Sequence, residues 1–124
     1  MHADNKAVAL NFLKLVAHGN VDEGYEKYVD MDGKHHNVYF SAGFQQLKDA
    51  MKESHAKEPN KEFTPRTVIC DGDLVAVHSH LKRSSDAPEI QVVHIFRFVD
   101  GKIVEMWDCG QEIPKNNPNT DGAF

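Results

Sequence analysis

At 124 residues the chain is long enough for one domain around a single core and too short for two. A hydrophobic fraction of 40% and a charged fraction of 27% are ordinary for a soluble globular protein. The formal net charge of −5 excludes nucleic acid or an anionic membrane as the main partner, since both demand a basic face.

Lys48, Lys52, Lys57, Lys61 and Arg66 are interleaved with acids and read as a solvated face. No apolar run approaches a signal peptide or a membrane span, so a cytoplasmic setting is expected. Cys70 and Cys109 are then expected as buried thiols, not as a disulfide.

Asp4 or Asn5 caps a first helix that runs to His18, with Val8, Phe12, Leu15 and Val16 as its apolar stripe and Gly19 as its stop. Asn20 and Glu23 have the spacing of a capping box and open a short helix through Tyr25 and Tyr28. Residues 30–33 read as a turn, and residues 34–43 show no clear period. Ser41 is placed to cap a third helix from Phe44 to about Lys57, with Phe44, Leu47 and Met51 inward. From Phe63 onward the period changes from helical to alternating, giving an antiparallel meander of strands at 62–70, 73–83, 89–99 and 102–110. Helices first and a meander afterwards predict an α+β fold, three N-terminal helices packed on a curved, cone-shaped antiparallel sheet. The domain is assigned to residues 1–110, and the proline- and asparagine-containing residues 111–124 to a C-terminal arm.

The chemistry concentrates on the last hairpin, VVHIFRFVDGKIVEMWD, where His94 and Asp108 interrupt an apolar face. A three-residue loop, 99–101, sets His94 opposite Met106 and Val92 opposite Asp108, with Val92, His94, Phe96, Phe98, Val104, Met106 and Asp108 on one face. A two-residue Asp-Gly turn instead shifts the pairing by one and moves Asp108 to the other face from His94. The three-residue register is preferred. Upstream, LVAVHSHLKR alternates so that Leu74, Ala76, His78 and His80 share a face, which brings His78 and His80 toward His94.

These elements, with the phrases HHN at 35–37, GDLVAVHSH at 72–80, HIFRFVDGKIVE at 94–105, EMWD at 105–108, and the closing GQEIP and DGAF, resemble the nuclear transport factor 2-like superfamily. Within it the chain is similar to SnoaL-like polyketide cyclases. The resemblance implies a cone-shaped roll with a hydrophobic pocket, a homodimer packed through the outer sheet face, and a His36 that faces the cavity. It also implies ring closure by aldol condensation with an acidic residue and a histidine and without a metal or other cofactor. Many relatives carry Asp where His94 stands and His where Met106 stands, so the borrowed mechanism does not transfer directly.

Three readings follow. In the first, His94 or Asp108 moves a proton next to a carbonyl while His78 or His36 polarises the substrate oxygen. Phe12, Tyr39, Phe44, His80, Phe96 and Met106 then line the apolar pocket. In the second, His78, His80 and His94 converge on a metal ion, with Asp108 beside them. In the third, the cone binds an apolar small molecule without chemistry. For Asp108 a purely structural role stands equal with a functional one. His2, His18 and His55 read as surface residues. Val93, Ile95, Ile103 and Trp107, with Arg97 and Glu105, form an outer patch that a second copy would cover.

Overall fold

The structure, a computed structural model, describes residues 4–124. His2 lies outside the described residues. The elements are α1 (Asn5–Ala17), α2 (Val21–Tyr28), β1 (Val29–His35), α3 (Phe44–Lys57), β2 (Glu62–Asp71), β3 (Leu74–Lys82), β4 (Glu89–Val99) and β5 (Lys102–Ile113). The α+β plan and the meander are as expected, and among the described residues no helix is long and apolar enough to cross a membrane. One strand is additional: β1 adds to the sheet edge parallel to β5, giving the five-stranded order β1-β5-β4-β3-β2. The 30–33 segment that reads as a turn lies inside β1 at a break in its register, between Val29 opposite Ile103 and Lys34 opposite Glu105, and an Asx contact from Asp32 N–H to Asp30 Oδ1 gives it turn-like chemistry.

Local capping accounts for some helix ends and not for others. Asp4 caps α1 by accepting from the Lys6 N–H at 3.0 Å, and Gly19, at φ 89, ends it in a left-handed conformation. Asn20 precedes α2 without a side-chain cap, and Gly43, not Ser41, precedes α3. These two helices depend on burial more than on side-chain caps. Tyr25, Phe44, Phe96, Ile103, Val21, Val75 and Val77 are fully buried where the helices meet the sheet, and Phe12 sets its ring edge against Tyr25 and Phe96 at 5.1 and 5.9 Å. Each such large side chain contributes about 1.5–3 kcal/mol of hydrophobic stabilisation.

The parity of β3 differs from the expectation. Val75, Val77 and Ser79 are buried against the helices, while Leu74 is exposed and His78 and His80 lie on the outer face. Alternation alone allows either face inward; the Val-Val-Ser-Leu row is the more apolar, and burial selects it. Both cysteines are exposed free thiols, not buried ones. His55 is not a surface residue either: it is partly buried, its ring fills the space beside Gly19, and its Nδ1 is sealed from solvent.

Candidate functional site

The β4–β5 hairpin combines the two registers considered from sequence. Its turn is the two-residue one: Asp100 and Gly101 have φ of 49 and 78, and Val99 pairs with Lys102. Asp tolerates the left-handed region, which makes Asp-Gly a natural turn of this type. Alone, that turn would send Asp108 outward. A bulge intervenes, because Phe98 pairs with Ile103 whereas Arg97 pairs with Glu105, leaving Val104 as the extra residue. The bulge returns the later residues to the concave face and sets His94 directly across from Asp108, about 5 Å between Cβ atoms. The predicted pairings of His94 with Met106 and Val92 with Asp108 are replaced, and Ile103 takes the inward place expected of Val104.

Asp108 is held from the 35–41 loop. Asn37 Nδ2 donates to both carboxylate oxygens, at 3.1 and 2.9 Å. The amide is oriented by chemistry, since Asn37 Oδ1 accepts from the Tyr39 N–H at 2.9 Å and so leaves the NH2 end for the carboxylate. His35 braces the loop: its Nδ1 accepts from the Asn37 N–H at 3.1 Å and its Nε2 donates to the Ser41 carbonyl at 2.8 Å. Those partners require the neutral Nε2–H tautomer.

His94 is partly buried, its ring parallel to Phe96 and edged by Phe63, and its Nδ1 is shielded with no hydrogen-bond partner among the described residues. Burial pushes its pKa below the ordinary imidazole value of 6.5, and the Asp108 charge opposes that shift. The ring is therefore neutral at physiological pH. Tyr25 on α2 is pushed the other way, upward, by burial first and then by Asp108, so its phenol stays protonated. Ser79, diagonal to His94 across β3 and β4, has a fully buried Oγ that is likewise unpartnered.

The remaining candidates sit elsewhere. His36 turns outward, stacks on Trp107 at 5.1 Å and bonds Glu105 at 2.6 Å; Arg97 also donates to Glu105, at 3.0 Å. Both partners hold the Glu105 carboxyl below its usual range, the His36 contact more strongly. The inward histidine of the pair is His35, the reverse of the expectation. His78 bonds Gln91, His80 bonds Glu89, and both rings pack against Phe124 of the C-terminal arm at 5.0 and 4.9 Å. The three-histidine metal arrangement is therefore not assembled, and among the described residues no cluster of His, Cys, Asp or Glu has metal-binding geometry. Phe12, Phe44, Phe96 and Met106 are buried core side chains beneath His94 and Asp108. Tyr39 is 86% exposed, beside a separate cleft of about 390 Å³ that Asp49 and Glu53 also line.

Asn37, His35, Tyr25 and Ser79 were missed from sequence. An Asn two residues before an exposed Tyr, in a loop without period, signals an Asx turn; nothing local marks the other three.

A SnoaL-like domain family model matches residues 9–106. No curated protein sequence matches. Among solved structures, AclR from Streptomyces galilaeus, a candidate hydroxylase, superposes with a TM-score of 0.75 at 20% identity, covering 90% of this chain and 91% of its own. A SnoaL-like polyketide cyclase from Agrobacterium tumefaciens gives 0.72 at 17%, covering 88% and 92%. An NTF2-like protein of unknown function from Burkholderia xenovorans gives 0.72 at 19%, covering 93% and 88%. At these identities the likeness is one of fold.

Proposed function

Because this chain belongs to the SnoaL-like domain family, we propose that its concave face binds a fairly apolar, carbonyl-bearing small molecule and that His94, with Asp108 opposite, moves a proton on it. The observation that carries this reading is the neutral, unpartnered imidazole of His94 facing a carboxylate that is itself fixed by Asn37. A neutral imidazole accepts the proton next to the carbonyl, and Asp108 stabilises the imidazolium that results. His78 and His36 face outward, so the hydroxyls of Ser79 and Tyr25 are the nearby groups suited to the developing oxygen charge. A polyketide cyclase among the structural neighbours makes a β-dicarbonyl compound the first substrate class to try. The chain acts as a dimer through the outer face, where Ile69, Leu74 and Ile95 are exposed, and in the cytoplasm, in keeping with two free thiols.

The test is deuterium uptake at the carbon between the carbonyls of benzoylacetone in D2O, followed by NMR with and without protein. Catalysed exchange should fall by at least about 10²-fold in His94→Ala. Exchange that survives both His94→Ala and Asp108→Asn refutes the acid/base reading. A protein that binds the diketone without accelerating exchange is a noncatalytic binder.

A further inference from the structure

The concave face changes character toward its open end. On β3 the inward row is Val75, Val77, Ser79 and Leu81, and the next residue in that alternation is Arg83. On β2, Phe63 pairs with Leu81 and edges onto His94, and Lys61 precedes it in the same alternation. Lys61 and Arg83 thus stand side by side, one residue beyond the last pair, Glu62 with Lys82. Lys61 turns toward the helices, its Nζ donating to Ser54 Oγ on α3 at 2.6 Å, and Arg83 Nε is buried with no hydrogen-bond partner among the described residues.

Burial, assisted by the Arg83 charge and opposed by Glu58, holds the Lys61 ammonium below its ordinary pKa. Among the described residues no carboxylate lies in ion-pair range of either Lys61 or Arg83. Glu112, by alternation with Asp108, faces inward two strands away on β5, roughly 10 Å distant. Between this basic pair and His94 lie Phe63, Leu81, Ile90 and Val92, all partly buried. A half-sequestered guanidinium beside an ammonium is costly unless an anion completes it.

We propose that Lys61 and Arg83 form an anion-binding subsite at the open end of the concave face, so that the ligand is an apolar carboxylate whose far end reaches His94 and Asp108. This rests on the concave face being the ligand site. The strand from Arg83 to Val77, which pairs with His94, spans roughly 20 Å, less when curved, and the arginine side chain covers part of it. The apolar body is then on the order of ten carbons.

Decanoate and decan-1-ol, titrated separately into isotope-labelled protein and followed by NMR, test the assignment. Both should shift the His94 ring signals, and only decanoate should shift the Arg83 Nε–H. Arg83→Met and Lys61→Met, each checked for folding by circular dichroism, should weaken decanoate about tenfold or more and leave decanol within about twofold. Arg83→Met should melt no lower than the parent if the arginine is held for a ligand; a marked loss of stability marks it as structural and overturns the proposal. Equal affinity for the two ligands, or decanoate affinity unchanged in both variants, also overturns it while leaving the proton-transfer reading of His94 intact. Failure of either ligand to shift His94 overturns the subsite together with the ligand site beneath it.

Discussion

Gly33→Ala is the substitution that tests the hairpin geometry without a substrate. A Cβ at Gly33 would lie 2.2 Å from the Val104 carbonyl oxygen and 2.8 Å from Phe44 Cε2, so β1 would have to move about 1 Å from the bulge to reach van der Waals distance. The β1–β5 ladder then yields at Lys34 opposite Glu105 and His35 opposite Met106, and the His36 N–H to Met106 carbonyl bond at 2.8 Å is lost. Two ladder bonds at about 1 kcal/mol each, with overpacking against Phe44, make a cost of about 2–4 kcal/mol. For a chain of this size that lowers the melting temperature by about 6–20 °C. Gly101→Ala is the control: nothing lies within 4 Å of its Cβ, and only its φ of 78 opposes a side chain, at about 1 kcal/mol. Thermal unfolding followed by circular dichroism compares the two. A Gly33→Ala protein that melts within error of the parent, or above Gly101→Ala, refutes the claim that the bulge is wedged against β1.

The pKa of His94 also gives stability a pH dependence. Its folded value lies below the unfolded value near 6.5, so as pH falls through 6.5 the unfolded chain takes up a proton first, and stability falls until the folded pKa is passed. Urea unfolding at pH 7.5 and 5.5 should show a smaller loss in His94→Gln than in the parent; equal losses refute the depressed pKa. Asn37→Ala removes both hydrogen bonds to Asp108 and should cost about 1–3 kcal/mol while slowing the diketone exchange, measured by urea unfolding and by NMR. Unchanged exchange in a folded Asn37→Ala protein would show that Asp108 needs no such anchor.

Most of the architecture was legible because burial writes itself into periodicity. The helical stripes at Val8 and Phe12 and at Phe44 and Leu47, and the alternation of β2 to β5, each point to one face. Where both faces of a strand carry apolar residues the signal divides, and β3 was read with its imidazole row inward although Val75, Val77 and Ser79 are the buried set. The edge strand β1 was hidden by Asp30, Asp32 and Gly33, which have turn chemistry and lie in a break of register between the paired Val29 and Lys34, with Gly33 close against the Val104 carbonyl. His94 and Asp108 were placed on one face correctly, but by a register lacking the compensating bulge. A bulge at Val104 leaves no local mark in the sequence; in the fold it lies where Gly33 packs close against the Val104 carbonyl. His35 and Asn37 depend on that same docking and were legible only as an irregular loop.

The extra residue in β5 also governs how this hairpin can change over descent. Losing the bulge while keeping Val104 and the turn, so that Val104 pairs with Arg97, would exchange the two sides of everything after it: Trp107 and Cys109 would turn into the cone, and Met106 and Asp108 toward the outside. No side chain in the pair would have been altered, yet Asp108 would no longer face His94. Two homologues that match letter for letter around MWD can therefore present different residues to their ligands. An alignment that assumes one pairing here would carry the role proposed for Asp108 to a residue on the far side of the sheet.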